Sequence, residues 1–262
     1  MNETTTVQIN SENKYSSKGL QIRHLDWLSS VWSINSVNPL LYNYDVETNA
    51  LKELHIAPFP VELAHRLILL YSQKGDWVLD PFCGSGTTNY AALSLFRKTA
   101  GYDIEEKYIQ MAEKRCGDRA SLFSKSSENM KECGSDSIQL CITSPPYLNL
   151  RHYSDNPENI GNMRDPYPAL RKVFREIYRV LKPGGYFCMN AADVPDGRTG
   201  YATTFPYDLI YLCQSLGFRL RTSLIWNKGI TLKKWNIVNK EPTGNHEYVW
   251  VFRKPDYGGG RR

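Results

Sequence analysis

Two glycines between a short apolar segment and a predicted helix are the first sign of chemistry in this sequence. Residues 79–88 read LDPFCGSGTT, with Gly84 and Gly86 near the centre. Residues 76–79 have the composition of a buried strand, and residues 89–98 have helical periodicity. Glycine permits sharp turns and close backbone approach to a ligand, and a helix N-terminus offers free N–H groups. The stretch therefore predicts a loop that cradles a nucleotide-like ligand.

An acidic residue follows at a spacing typical of ribose binding. Residues 99–104 are predicted to form a second strand that includes Asp103, about 20 residues beyond the glycines, where a carboxylate meets ribose hydroxyls. The alternative is that Asp103 caps the helix that begins near Glu105. Neither a GxxxxGK[ST] phosphate loop nor the GxGxxG spacing is present, so the ligand does not need a pyrophosphate.

A rigid polar corner follows another predicted strand. Residues 137–143 are mostly apolar and run into Ser144, Pro145, Pro146 and Tyr147. Open α/β sheets bind ligands at the carboxyl ends of their strands. The prolines fix the backbone and remove two N–H donors, so the Ser144 hydroxyl and the Pro145 carbonyl can accept both hydrogens of a planar NH2-bearing group while the Tyr147 ring stacks on it. An ordinary turn after a strand is the alternative.

The elements around these motifs alternate between strands and helices. Their order predicts a Rossmann-like α/β fold with a doubly wound, mostly parallel sheet, to which the last two strands add an antiparallel edge. The other predicted helices cover residues 61–72, 105–115, 168–181 and 206–216. The other predicted strands cover residues 121–126, 186–192, 218–226 and 248–252.

Four finer predictions can be checked against a structure. Phe96 is placed on the buried face of the helix over residues 89–98, and Leu220 on the apolar face of the strand over residues 218–226. Residues 42–50 read as a loop. Residues 183–185, Pro-Gly-Gly, are predicted to end the preceding helix.

The composition describes a globular protein with a mild basic excess. The chain has 262 residues, 41% hydrophobic residues and a formal net charge of +5, which is compatible with a polyanionic partner. Six scattered cysteines form no CxxC pair and no metal-ligand spacing. We therefore expect reduced thiols, no metal and a cytoplasmic protein. No apolar run is long enough to span a bilayer.

Together, DPFCGSGTT at 80–88 and TSPPY at 143–147 resemble the DNA amino-methyltransferases. These enzymes methylate the exocyclic N4 of cytosine or N6 of adenine with S-adenosylmethionine and release S-adenosylhomocysteine. The SPPY form is most similar to the cytosine-N4 branch. The resemblance covers about residues 31–254. The glycine half precedes the SPPY half, the reverse of the commoner order, so the chain resembles a circular permutant of that arrangement.

The resemblance implies a site-specific methyltransferase that flips its target base out of double-stranded DNA. The implied catalytic residues are Ser144, Pro145, Pro146 and Tyr147. The implied cofactor-binding residues are Phe59, Asp80 (near the methionine amino group), Phe82, Gly84, Ser85, Gly86, Thr87, Asp103 (on the ribose) and Ile104 (on the adenine). The implied DNA-binding residues are Arg151, Arg164, Lys228, Lys233, Lys234 and Lys240. The family's third cofactor segment often carries an acid, whereas Lys125 stands nearby in this chain.

The implied organisation is a disordered tail over residues 1–19, one methyltransferase domain over 20–254 and a flexible tail over 255–262. Target recognition is expected in loops at about 148–166 and 227–245. A cognate restriction endonuclease acting on the same site is a natural partner, and oligomerisation stays open. The alternatives are an adenine-N6 DNA methyltransferase, an RNA amino-methyltransferase and a catalytically silent DNA-binding partner subunit.

Overall fold

The chain alternates between strands and helices, as its sequence predicts. A computed structural model describes residues 29–34, 44–45, 50–51, 59–147, 155–193, 203–229 and 245–256. The strands are β1 Val31–Ser33, β2 Tyr44–Asp45, β3 Ala50–Leu51, β4 Trp77–Asp80, β5 Lys98–Asp103, β6 Ser121–Ser124, β7 Ile138–Thr143, β8 Leu181–Ala191, β9 Arg219–Asn227 and β10 His246–Arg253. The α-helices are α1 Val61–Tyr71, α2 Thr87–Ser94, α3 Glu106–Cys116, α4 Tyr167–Val180 and α5 Phe205–Ser215.

Eight of these strands form one mixed sheet in the order β1-β9-β10-β8-β7-β4-β5-β6. Strand β10 runs antiparallel to β8 and β9, and the other neighbouring pairs are parallel. The predicted fold class is therefore confirmed. The chain passes from β4 to β5 and β6 on one side and returns to β7 on the other. This reversal between β4 and β7 is where doubly wound sheets bind their ligands, outside the carboxyl ends of the strands.

Two apolar layers cover the faces of the sheet. Helices α4 and α5 pack on one face, where Leu170, Phe174 and Ile177 of α4 are fully buried. Their spacing of three and four residues places them on one side of the helix. Helices α1 and α2 pack on the opposite face, with Leu63 and Leu67 of α1 in that layer. The layers fix β4 and β7 from both sides, so their carboxyl ends form a rigid base for a site.

The helix after the glycine loop is shorter than predicted. Helix α2 ends at Ser94, and Lys98 already belongs to β5. Phe96 has a φ of +62° and is 72% exposed, so its placement on a buried helical face is wrong. A non-glycine residue in the left-handed region ends the helix and turns the chain. The Phe96 carbonyl then accepts a hydrogen bond from the Gly75 N–H at 2.9 Å.

The helix before the Pro-Gly-Gly stretch ends there as predicted, but the stretch itself belongs to a strand. Helix α4 ends at Val180, and residues 183–185 lie inside β8. Gly184 has a φ of +78°, and the pairing of β7 with β8 shifts register between Ile138 and Leu140. The irregular strand absorbs the extra residues as a bulge does. The glycines therefore form a kink near the start of β8, a strand inside the sheet.

Two other local predictions are wrong. Leu220 is 37% exposed, because the pairing of β9 with β10 shifts register between Val251 and Phe252 and breaks the alternation of faces. Residues 42–50, predicted as a loop, contain β2 and the start of β3, which pair with each other in antiparallel register. The predicted tail over residues 1–19 lies outside the described residues.

Candidate active site

One cavity opens at the carboxyl ends of β4, β5 and β7, beside the sheet's switch point. The predicted site residues that line it are Phe59, Asp80, Phe82, Ser85, Thr87, Asp103, Ile104, Ser144, Pro146 and Tyr147. Gly84, Gly86 and Pro145 lie between lining residues in the same two segments. The glycine loop and the SPPY corner, which are far apart in sequence, therefore face a common space.

The last residue of the glycine loop has a backbone conformation and a close packing contact that only glycine allows. Gly86 immediately precedes α2 with a φ of +78°. A Cβ atom at this position would lie 2.8 Å from the Cβ of Ala112 in α3. The Gly86 N–H donates to the Cys83 carbonyl at 2.9 Å and closes a tight turn. The loop thus packs closely against α3 and presents the N-terminus of α2 beside the cavity.

Asp103 joins the end of β5 to the glycine loop. Its Oδ2 accepts a hydrogen bond from the Gly84 N–H, and its Oδ1 accepts one from the Glu105 N–H, both at 2.9 Å. Glu105 is the residue that precedes α3, so Asp103 contacts the start of this helix without occupying the cap position. Burial raises the pKa of Asp103 to about 6. Each carboxylate oxygen keeps a lone pair for ligand hydroxyls.

The SPPY corner begins where β7 ends at Thr143. The Ser144 hydroxyl donates to the Tyr147 hydroxyl at 3.4 Å. Tyr147 and Phe82 are both partly buried and pack against the same apolar layer. Tyr147 and Phe82 of the glycine loop line the same cavity, and Ser144 keeps its acceptor lone pairs.

Several cavity residues were missed by the sequence analysis. Glu105 and Tyr108 come from the start of α3, and residues 158–160 come from the segment before α4. Asn159 accepts a hydrogen bond from the Gly161 N–H at 2.9 Å, and Ile160 is buried. The sequence carries one sign of this arrangement, which is Ile160 within a polar stretch. A buried apolar residue at that position anchors the segment to the body of the protein.

Lys125 lines the cavity in the segment for which the family resemblance implies an acid. Its ammonium group donates to both carboxylate oxygens of Glu132, at 2.8 and 3.0 Å. This pair lowers the pKa of Glu132 and neutralises the lysine charge. Ser126 and Ser127 line the same wall, so hydroxyl groups stand beside a neutralised cation at this position.

The predicted DNA-binding residues are only partly described. Arg164 is exposed in the segment before α4. Lys228 donates to Glu247 at 2.9 Å and lies over the Trp226 ring, 5.8 Å from its centroid. The remaining four, Arg151, Lys233, Lys234 and Lys240, lie outside the described residues. A phosphate contact by Lys228 would therefore compete with or extend an existing ion pair.

The comparisons identify the class of protein. The N6/N4 methyltransferase family model, described as DNA methylase, matches residues 2–114 and 138–258. A SAM-dependent methyltransferase from Methanosarcina mazei has the same fold, with a TM-score of 0.51 and 16% identity over 72% of this chain and 97% of that chain. The fold is that of the class I methyltransferases, and the chain belongs to the DNA methylase family.

Curated relatives match parts of the chain. Type II methyltransferase M.MthZI from Methanothermobacter thermautotrophicus is 38% identical over 97 residues, which are 37% of this chain and 26% of that protein. Type II methyltransferase M.HpaI from Haemophilus parainfluenzae is 34% identical over 153 residues, which are 58% of this chain and 45% of that protein. The matched regions thus span from a quarter to less than half of these two relatives.

The family and the fold give S-adenosylmethionine as the cofactor, and the cavity fits this group. Asp103 and Glu105 offer acceptors to ribose hydroxyls, and Ile104, Tyr108 and Phe59 offer apolar contact to a flat base. In the described residues, no group of three or more His, Cys, Asp or Glu side chains is placed to hold a metal ion. None of the described helices combines the length and hydropathy needed to cross a membrane.

Proposed function

We propose that this protein is a site-specific DNA methyltransferase that modifies the exocyclic N4 of a flipped cytosine. The observation that carries the proposal is that Phe82 and Asp103 line the same cavity as Ser144 and Tyr147. The SPPY sequence supports cytosine over adenine, and the family match supports DNA as the substrate. The order of the two halves supports a circular permutant of the commoner arrangement.

Methyl transfer to an exocyclic amine requires that the nitrogen lone pair is localised on the nitrogen and not delocalised into the ring. The Ser144 oxygen and the Pro145 carbonyl accept the two amine hydrogens and favour a pyramidal nitrogen. Ser144 already donates to Tyr147, so it meets the amine as an acceptor. Alignment of two reactants in one site lowers a barrier by roughly 7–11 kcal/mol. S-adenosylmethionine, when bound, supplies an electrophilic methyl group.

The glycine loop offers no nucleophile that could form a covalent adduct with the base. Cys83 lines the cavity, but burial raises the pKa of its thiol well above the usual range. The thiolate is the reactive form of cysteine, and it is not populated here at neutral pH. Cys83 acts as a small, uncharged side chain in the cavity wall, consistent with direct transfer to nitrogen.

DNA must approach the carboxyl edge of the sheet and release its target base into the cavity. Tyr147 stacks on the flipped base, and the six cationic residues Arg151, Arg164, Lys228, Lys233, Lys234 and Lys240 meet the phosphates. Binding of this kind weakens steeply with salt because counterions are released from the DNA. Double-stranded DNA is thus the proposed partner, with a cognate restriction endonuclease acting on the same sequence.

Transfer of tritiated methyl groups to plasmid DNA, followed by nucleoside analysis, tests the proposal. We expect label in N4-methylcytosine. Label in N6-methyladenine would overturn the choice of base and keep the class of enzyme. Label in RNA but not in DNA would overturn the substrate, and absence of label from both would favour a silent partner subunit. Denatured protein is the control.

A further inference from the structure

A side-chain hydrogen bond joins the two halves of the cavity where their backbone pairing stops. The pairing of β4 with β7 extends to Leu79 and Cys141. Beyond that point, Thr143 Oγ1 donates to Asp80 Oδ1 at 2.6 Å. This bond therefore holds the carboxyl ends of the two strands together at the switch point of the sheet, where a ligand crevice forms.

The same carboxylate also holds the cofactor loop. Asp80 Oδ2 accepts a hydrogen bond from Thr88 Oγ1 at 2.6 Å, and Oδ1 accepts a second one from the Phe82 N–H at 3.1 Å. Thr88 lies in the first turn of α2, and Phe82 lies in the loop. One carboxylate thus contacts the loop, the helix after it and the strand that leads into SPPY.

Burial makes these bonds strong and costly to lose. Asp80 is 2% exposed, and Thr88 and Thr143 are fully buried. A buried carboxylate needs hydrogen-bond donors, and bonds as short as 2.6 Å are typical of a charged acceptor. Burial raises the pKa of Asp80 to about 6, whereas the bonds from Thr143, Thr88 and Phe82 lower it. With a pKa of about 6, the carboxylate is the main form at neutral pH.

The groups that face Asp80 come from three elements. Asp103 on β5 faces Asp80 closely enough that the charge of Asp80 raises the pKa of Asp103. The thiols of Cys83 in the loop and Cys141 on β7 face it as well. Burial raises the pKa of both thiols well above the usual range, so they stay neutral while Asp80 titrates.

We propose that Asp80 and Thr143 form a positioning pair that sets the separation between the cofactor loop and the SPPY corner. The inference rests on the proposed function, because that separation controls the transfer between cofactor and base. Thr143 directly precedes Ser144 and acts through it. A misplacement of about 1 Å can cost about 100-fold in rate. This task differs from the contact with the methionine amino group that the family resemblance implies for Asp80.

Two variants of Thr143 separate its hydroxyl from its shape. Thr143→Val keeps the volume and removes the donor, and we expect kcat to fall about 10- to 100-fold while the cofactor Kd, measured by calorimetry, stays within a factor of about two. Thr143→Ser keeps the donor and should retain most of the rate. The acid limb of the kcat profile should move to higher pH in Thr143→Val alone, because its Asp80 has lost a donor to its ionised form.

Thr99→Val is the matched control. Thr99 is a buried threonine on β5. Its hydroxyl donates to the Val78 carbonyl at 3.1 Å and accepts from the Asn89 side-chain amide at 2.8 Å, and neither bond involves Asp80. Its loss measures the general cost of deleting a buried hydroxyl, which thermal denaturation reports for every variant. Equal rate losses in Thr143→Val and Thr143→Ser, or the same shift of the acid limb in Thr99→Val, would overturn the positioning pair.

Hydrogen exchange tests the pair without relying on methyl transfer. We expect Thr143→Val to speed amide exchange in both residues 81–88 and residues 143–147, whereas Thr143→Ser should exchange as the wild-type protein does. Unchanged exchange in Thr143→Val would overturn the inference, whatever the activity. A wild-type protein that labels no nucleic acid would overturn the proposed function instead, and the exchange data would still decide on the pair.

Discussion

The Asp103 carboxylate accepts a hydrogen bond from the Gly84 N–H at 2.9 Å, across 19 residues of sequence. This bond ties the end of β5 to the turn that follows β4. One oxygen fixes the loop backbone while lone pairs stay available in the cavity. An acid at this spacing can therefore hold the loop and still accept hydrogen bonds from a ligand. The same carboxylate contacts the Glu105 N–H, so its position is set from two sides.

Replacement of Asp103 by alanine should weaken cofactor binding. Hydrogen bonds to charged groups contribute about 1.5–3 kcal/mol, so we expect the Kd for S-adenosylmethionine to rise at least about tenfold. Isothermal titration calorimetry measures it directly. Asp118→Ala, which removes an exposed acid just after α3, is the control. An unchanged Kd in Asp103→Ala would limit Asp103 to its two backbone contacts.

Cofactor affinity should fall as the pH drops through about 6. Burial raises the pKa of Asp103 from 3.8 to about 6, and a protonated carboxyl is a poorer acceptor for ribose hydroxyls than a carboxylate. Calorimetry between pH 5 and 8 should show the decline in wild type. Asp103→Asn, which does not titrate, should show a flatter profile, and parallel profiles would assign the decline to another group.

The stability of the free protein should change in the opposite direction. Because the folded pKa of Asp103 exceeds 3.8, the folded state binds a proton more readily than the unfolded chain. The contribution of Asp103 is therefore greatest below about pH 4 and falls as the pH rises towards 6. Thermal denaturation without cofactor should show the Tm of wild type declining relative to that of Asp103→Asn across this window. A constant difference in Tm would contradict the raised pKa.

The sequence predicts the site because its motifs follow strands that become neighbours. Asp80, Asp103 and Thr143 are the last residues of β4, β5 and β7, and parallel strands bring their carboxyl ends to one edge. Local periodicity was enough to place these strands. The common cavity followed from the expected sheet order together with a family resemblance.

Other features depend on contacts that no local pattern records. Phe96 reads as part of an apolar face, but its positive φ is set by the return of the chain into β5. Leu220 follows a regular alternation that a register shift in the pairing of β9 with β10 interrupts. Glu158, in the segment before α4, lines the cavity together with residues of the glycine loop that are distant in sequence. Tertiary packing overrides local preference in each case.

Gly86→Ala should destabilise the fold more than Gly75→Ala. Both glycines have a positive φ, of +78° and +83°, so both substitutions carry a backbone cost of about 1–3 kcal/mol. A Cβ at Gly86 also meets Ala112 at 2.8 Å, whereas a Cβ at Gly75 meets no atom within 4 Å. Urea denaturation of the two variants isolates the cost of the close approach. Equal losses of unfolding free energy would show that α3 moves aside freely.

Ser144→Ala should reduce methylation severely and leave cofactor binding nearly intact. The substitution removes one of two acceptors for the amine hydrogens, and loss of a comparable preorganised group lowers kcat by about 100- to 1000-fold. Tyr147→Phe is the matched control, because it removes the hydroxyl to which Ser144 donates and keeps the stacking ring. We expect a small effect from Tyr147→Phe.

Tritium transfer to DNA measures kcat, and calorimetry measures the cofactor Kd. Wild-type turnover in Ser144→Ala would refute the acceptor role, and an equal loss in Tyr147→Phe would assign the effect to the pair of hydroxyls.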